Sequence, residues 1–266
     1  MEHSNNPEIP PPDYIGAHEY AHKRLTDELL HCLHYHNVYH SFGEVLLAVL
    51  FLANQVGIVE SDLQLLKVAA AFHDIGWVVQ GNGHENIGVE ICSHILPAFS
   101  FSGMHIYRNS GMIPATRLLQ TPQNELEEIL ADADMFTLGS DDFWPRNSDL
   151  RYEIEALGEI VSDKEAYQSQ LDFLKIYQYH TIAAQKARDH QKKEYIAELS
   201  RYVSQNGRLD GPAVDRLLPE RLQSLRPLFT SHDHQGQIIG RGCVSGKGFH
   251  AFGDRRQESV RIQPLS

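Results

Sequence analysis

The sequence predicts an all-α fold, and three observations carry that reading. From Tyr14 to about residue 229 the chain is a succession of stretches rich in Leu, Ala, Glu and Lys with apolar residues at helical spacing. Period-two alternation, the mark of a half-buried strand, is nearly absent there, and the breaks fall at Gly, Pro or Asn. With 266 residues, 42% of them hydrophobic, the chain can bury one large core and carry at most a small appendage.

Candidate helices cover about 14–35, 42–56, 61–75, 84–97, 104–119, 124–138, 148–160, 163–178, 181–205 and 212–229. Residues 1–13 read as a disordered leader, acidic and polar before Pro10-Pro11-Pro12, with no basic region followed by an apolar stretch and so no secretory signal. The first helix turns Leu29, Leu30 and Leu33 inward, which leaves His31 and His34 as bystanders beside that face. The second holds the longest apolar run, Val45–Ala53, and ends at Gly57. That run is far short of the roughly 20 residues that span a bilayer, so no membrane is expected as a partner.

The third helix opens on Ser61-Asp62 as N-cap and closes on Gly76 as the residue just past its end, which sets His73-Asp74 in the last turn. Farther on, the stripe Leu126, Ile129, Leu130, Ala133, Thr137 gives the sixth helix a buried face. His180-Thr181 is an N-cap pair for the ninth helix, whose Lys186, Arg188, Lys192 and Lys193 are interleaved with Asp189, Glu194 and Glu198 as a solvated face. After about residue 230 the texture becomes Gly-rich and alternating, as in Gln237-Ile238-Ile239 and Val260-Arg261-Ile262, which reads as short strands and turns. The expected organisation is therefore a leader over 1–13, a helical domain over 14–230 and a short Gly-rich β appendage over 231–266.

A net charge of −12 makes a nucleic-acid backbone or an anionic membrane a poor partner, although a metal could reverse the field locally for a small anion. Cys32, Cys92 and Cys243 are odd in number, far apart and without metal-ligand spacing, which points to a reducing compartment and a cytoplasmic protein. The Gly-rich segment Gly240–Gly248 fails as a phosphate-binding loop, because Arg241 stands where a Gly is needed and Gly248 where a Ser or Thr is needed.

Chemistry concentrates in three remote segments. The first is His34-Tyr35-His36-Asn37-Val38-Tyr39-His40, the second Ala69-Ala70-Ala71-Phe72-His73-Asp74, the third Ile129-Leu130-Ala131-Asp132-Ala133-Asp134-Met135. With 16 His and 16 Asp, a His-Asp pair is expected about once by chance, and His232-Asp233 is such a pair. His73-Asp74 differs by its context, the end of an almost wholly apolar helix, where burial costs free energy that a cation could offset. Imidazole with carboxylate suits Mn, Fe, Co, Ni, Zn or Mg, and no thiolate favours a closed structural site. At 100° per residue Asp134 lies about 80° from the centre of the buried stripe and Asp132 about 120°, so Asp134 is the better-placed ligand of the two.

His40, His73-Asp74 and Asp134 resemble the H…HD…D signature of the HD-domain superfamily of metal-dependent phosphohydrolases. The stretch from Glu128 to Gly139, His84-Glu85, and the segments Leu150–Glu153, Gln170–Leu174 and Tyr179–Thr181 are similar to its bacterial predicted phosphohydrolase branch, so the resemblance spans roughly residues 20–205. It implies an HD-domain helical bundle in which His40, His73, Asp74 and Asp134 hold one divalent metal. The run Tyr35–His40 is similar to the YHNxxH segment of cyclic-nucleotide phosphodiesterases, and on that analogy His36 is a proton donor to the leaving oxygen. His84 and Glu85 stand where such families place a second-metal ligand or an acid/base, and no second His pair follows. Residues 217–263 resemble the opening of a cyclic-nucleotide-binding β-roll, truncated before its phosphate-binding segment.

The expected activity is hydrolysis of a phosphoester or phosphoanhydride in a nucleotide or related small molecule. Water is the attacking group, with Asp74 both ligand and orienter and His36, His84 and Glu85 as acid/base candidates. Two other readings compete: a silent nucleotide-binding regulatory module, and a di-iron oxygenase of the same fold.

Overall fold

A computed structural model describes residues 10–159 and 162–205, together with the strands 230–232, 238–245 and 248–252. Its order is α1 (Tyr14–Glu28), α2 (Leu46–Val56), α3 (Glu60–Phe72), α4 (His84–Ile95), α5 (Gly103–Met112), α6 (Glu125–Asp134), α7 (Phe143–Ala156), α8 (Asp163–Ile176) and α9 (Ile182–Ser204). The strands β1 (Thr230–His232), β2 (Ile238–Ser245) and β3 (Gly248–Phe252) pair antiparallel in that order. The expected strand at 260–262 and the expected helix at 212–229 lie outside the described residues.

The third helix is the core. Leu65, Leu66 and every residue from Val68 to Phe72 are buried, so α3 is apolar on all sides over its last turns and is enclosed by α1, α2, α5 and α6. The run Ala69-Ala70-Ala71 leaves room for those neighbours to approach. Caps place several helix starts: Asp13 accepts from Gly16 N–H, Asn124 from Leu126 and Glu127, and Thr181 from Ala184. Ser162 and Glu165 form a reciprocal capping box at α8.

Several boundaries depart from the sequence reading. The first helix ends at Glu28 rather than near 35: Leu29 already turns extended (φ −64°, ψ 145°), and farther on the N–H groups of Tyr35 and His36 donate to the Glu153 carboxylate (both 2.9 Å). The third starts at Glu60, with Val59 at the N-cap position, and Asp62 pairs with Arg108 at 2.8 Å rather than capping. It ends at Phe72, so His73 and Asp74 follow it instead of forming its last turn. Gly76 has no positive φ; it is glycine because a Cβ there would collide with the His84 carbonyl. Helix α7 begins at Phe143 rather than 148, since Pro145 sits in its first turn, where no N–H is required. Gly57 does end α2 in the left-handed conformation (φ 85°), as the sequence suggests.

Among the described residues no helix is long and apolar enough to cross a membrane. The basic face expected on α9 is solvated only in part. Lys192 is buried, donating to Tyr177 O beside the Tyr177 and Tyr179 rings, and Arg188 lies over the Phe136 ring at 4.0 Å.

Candidate metal centre

Four backbone features converge beside α3. His73 is the C-cap of α3, and Asp74 turns out of the helix (φ −102°, ψ 4°) into a 3₁₀ turn over Ile75–Val78. His40 opens a π-helical turn, His40–Val45, that runs directly into α2, a widened winding found often at functional positions. Asp134 is the last residue of α6, and His84 the first of α4, drawn in by the close Gly76 contact.

The side chains meet at short range. His40 Nε2 lies 3.1 Å from Asp134 Oδ1 and 3.7 Å from Asp74 Oδ2, while His73 Nε2 lies 3.3 Å from Asp74 Oδ2 and 3.6 Å from Asp134 Oδ1. Two atoms bound to one cation at about 2.1 Å and near-tetrahedral or octahedral angles stand about 3.0–3.4 Å apart, close to this spacing. His40, His73 and Asp74 each offer a ligand atom within 4.8 Å of the others, and all three are buried.

The remaining valences point to what the centre lacks. His73 Nδ1 donates to Ala70 O at 2.7 Å, and His40 Nδ1 faces Glu44 Oε2 at 3.0 Å, so both imidazoles carry a proton on Nδ1 and turn Nε2 inward. His73 Nε2 and Asp74 Oδ2 are buried without a hydrogen-bond partner. They face each other at 3.3 Å as an ion pair without a well-aligned hydrogen bond, with His40 and Asp134 alongside, so the pair directs its charge at the point where all four side chains meet. Two imidazoles and two carboxylates form a donor set suited to a hard or borderline divalent cation, so the residues fit the group that the sequence implies.

Without a cation the cluster holds protons. Burial opposes charge on His40, but the carboxylates of Asp134, Glu44 and Asp74 outweigh it and push its pKa up to about 10. His84 is likewise desolvated yet raised to about 9 by Asp74 and Glu85, and His73 is raised by Asp74 and Asp134 against its burial. Asp74 is held well below its usual range by His73 and His84, despite the burial that works against ionisation.

Every residue expected at the site is brought to it or to its edge. His84 Nε2 takes the other oxygen of Asp74 at 3.2 Å, and its Nδ1 faces Gly81 O. Glu85 lies farther out, 3.9 Å from His84 Nε2 and 3.7 Å from Arg117 Nε. His36 stacks on Trp77 with ring centres 4.3 Å apart, Trp77 stacks in turn on His84 at 5.0 Å, and the His36 ring centre is 6.1 Å from that of His40. His36 Nδ1 is held by Glu153 Oε1. His31 and His34 are exposed.

Sequence reasoning missed the residues that hold this shell in place. Glu44 bridges His40 to Arg146 (Nε at 2.9 Å), and Arg146 in turn binds Tyr35 O and Asp149, both at 2.8 Å, with its guanidinium 4.4 Å from the Tyr35 ring centre. The His40/Glu44 spacing of four residues could have pointed to the first link; nothing local points to Arg146, Glu153 or Trp77.

The helical-wheel estimate ranks Asp134 over Asp132 by burial, and here it needs correction: both are buried, and Asp132 the more completely (0% against 7% exposed). What separates them is their partners. Asp132 accepts from His180 N–H (2.8 Å), Thr181 N–H (2.7 Å), Thr181 Oγ1 (2.7 Å) and Tyr177 OH (3.3 Å), and has no imidazole partner in the cluster.

Residues 38–138 match the family model for the HD domain. No curated protein matches the chain. Among solved structures, the crystal structure of a predicted HD superfamily hydrolase from an uncultured Thermotogales bacterium is similar at 20% identity, covering 74% of this chain and 94% of that one with a TM-score of 0.47.

Proposed function

We propose, from the match of residues 38–138 to the HD-domain family model, that the protein is a metal-dependent phosphohydrolase acting on a phosphoester or phosphoanhydride of a nucleotide or related small molecule. The observation that carries the reading is the convergence of four buried side chains, His40, His73, Asp74 and Asp134, whose ligand atoms lie 3.1–3.7 Å apart. His40, His73, Asp74 and Asp134 would hold one divalent cation, of Mn, Fe, Co, Ni, Zn or Mg. When bound, that cation supplies Lewis acidity, polarising a phosphoryl oxygen and making water a nucleophile near neutral pH.

The chain's own residues account for the rest. Ala70 O and Glu44 fix the two imidazoles so that their lone pairs face inward, and this removes a reorganisation cost at the moment of reaction. Asp74 is shared between the centre and His84, so His84 orients the carboxylate that in turn orients the attacking water. His36, anchored by Glu153, donates a proton from Nε2 to the leaving oxygen. The surrounding wall of Trp77 and Tyr35 limits competing water.

The test is hydrolysis of a panel of nucleotides and simple phosphomonoesters by metal-free protein supplied in turn with Mn, Co, Ni, Zn and Mg. Turnover with at least one metal, abolished in His73→Ala, is expected. Absence of turnover with every metal across the panel refutes the reading.

A further inference from the structure

Beside the cluster lies a cavity of about 390 Å³, a volume in the range of small-molecule sites. We propose that it is a specificity pocket for the non-reacting part of the substrate, and that this part is an uncharged, flat ring system; the inference rests on the phosphohydrolase reading above.

Three observations converge on that chemistry. First, cavity and cluster share a wall: Tyr35 and His36 line the cavity, and the Tyr35 ring centre is 4.8 Å from that of His40. A phosphoryl group at the cluster thus has its leaving oxygen on the His36 side, and the group attached to that oxygen extends into the cavity. Second, the walls are mainly apolar, formed by Leu138, Phe143, Leu150, Ile154 and Phe173, of which Leu150, Ile154 and Phe173 keep part of their surface uncovered. Third, the two cations that face the cavity are already neutralised. Arg146 is paired with Glu44 and Asp149, and Arg151 with Glu155 and Asp163, so neither is free for a second phosphate. An apolar wall with no uncompensated positive charge disfavours an extension that carries a further phosphate, because that charge would lose hydration without a free cation to pair with. It favours an aromatic or heteroaromatic group, whose edge atoms can meet the amides of Asn147 and Gln170.

The test separates this inference from the reading beneath it. 1-Naphthol, a neutral probe, is titrated by fluorescence into the full chain without metal, in wild type and in two variants that fill the cavity. Leu150→Arg acts from the α7 wall and Ser169→Trp from an exposed position at its rim, where folding is little at risk. The expected result is saturable binding at one site, weakened at least about tenfold by each folded variant, a change of about 1.4 kcal/mol. In parallel, kcat/KM for 1-naphthyl phosphate exceeds that for glycerol phosphate at least about tenfold in wild type, and the ratio of the two falls toward one in the variants. Naphthol binding that both variants leave unchanged, or equal kcat/KM for the two esters in wild type, overturns the pocket and leaves the phosphohydrolase reading standing. Naphthol binding lost in the variants, with no ester hydrolysed by any metal-loaded form, supports the pocket and refutes that reading.

Discussion

Two buried polar junctions meet α6 only two residues apart, and they are built on opposite principles. At Asp132 the carboxylate is saturated by two backbone N–H groups and two hydroxyls from the segment that leads into α9. At Asp134 the carboxylate faces two imidazole nitrogens, with the ion-paired His73 Nε2 and Asp74 Oδ2 beside it. The first junction is complete in itself and ties α6 to the start of α9. The second is a cluster of imidazole and carboxylate atoms at the spacing a divalent cation would take. Burial alone does not distinguish the two carboxylates; their hydrogen-bond partners do.

The comparison breaks first at the cluster. His73→Ala should lower metal-supported turnover at least about 1,000-fold, some 4 kcal/mol of barrier, with little change in the melting temperature of the metal-free protein. Steady-state kinetics alongside calorimetry checks both halves. Asp132→Ala should do the reverse. Stranding four buried donors costs about 3–4 kcal/mol, roughly a 10 °C fall in Tm, while any folded fraction keeps its metal. If Asp132→Ala lost metal at unchanged stability, the division between the junctions would be wrong.

Smaller effects sharpen the contrast. Glu44→Ala removes the acceptor of His40 Nδ1–H and should weaken metal affinity by about 10- to 100-fold, measured by competition with a chromophoric chelator. The smallest effect is pH dependence of the metal-free fold. His40 and His84 have folded pKa values raised to about 10 and about 9 from 6.5, so their contribution is complete below pH 6.5 and disappears as pH rises through those values. Asp74, depressed, contributes above its ordinary value of 3.8 and loses that contribution as pH falls through its lower folded value. The metal-free protein should therefore melt on the order of a few degrees lower at pH 9 than at pH 6. The gain in Tm on adding metal should grow over the same interval, because a cation must displace those protons.

Much of this was legible in the chain. The His73-Asp74 doublet stands out because an Ala-rich apolar helix runs into it, and the helical class follows from periodicity over most of the sequence. What was not legible depends on partners distant in sequence. Asp132 lies off the apolar stripe of its helix, yet it is buried because His180 and Thr181, nearly fifty residues later, fold over that face. Helix α1 stops at Glu28, and the segment after it is held by Glu153, which takes the N–H groups of Tyr35 and His36 in a contact that no local pattern encodes. Gly76 reads as a helix terminator, but its lack of a side chain serves a close approach to His84. His36 enters as a proton-donor candidate only through family resemblance, and the Glu153 carboxylate that anchors it has no local signal at all.

The central claim is that the second junction holds one cation. Metal content per chain, measured by elemental analysis after equilibration with each of Mn, Fe, Co, Ni, Zn and Mg and removal of free ion, tests it directly. The account predicts one equivalent for at least one of these metals in the wild type and in the folded fraction of Asp132→Ala, and none in His73→Ala. A wild-type protein that retains no metal from the series, or a His73→Ala variant that keeps a full equivalent, would contradict it.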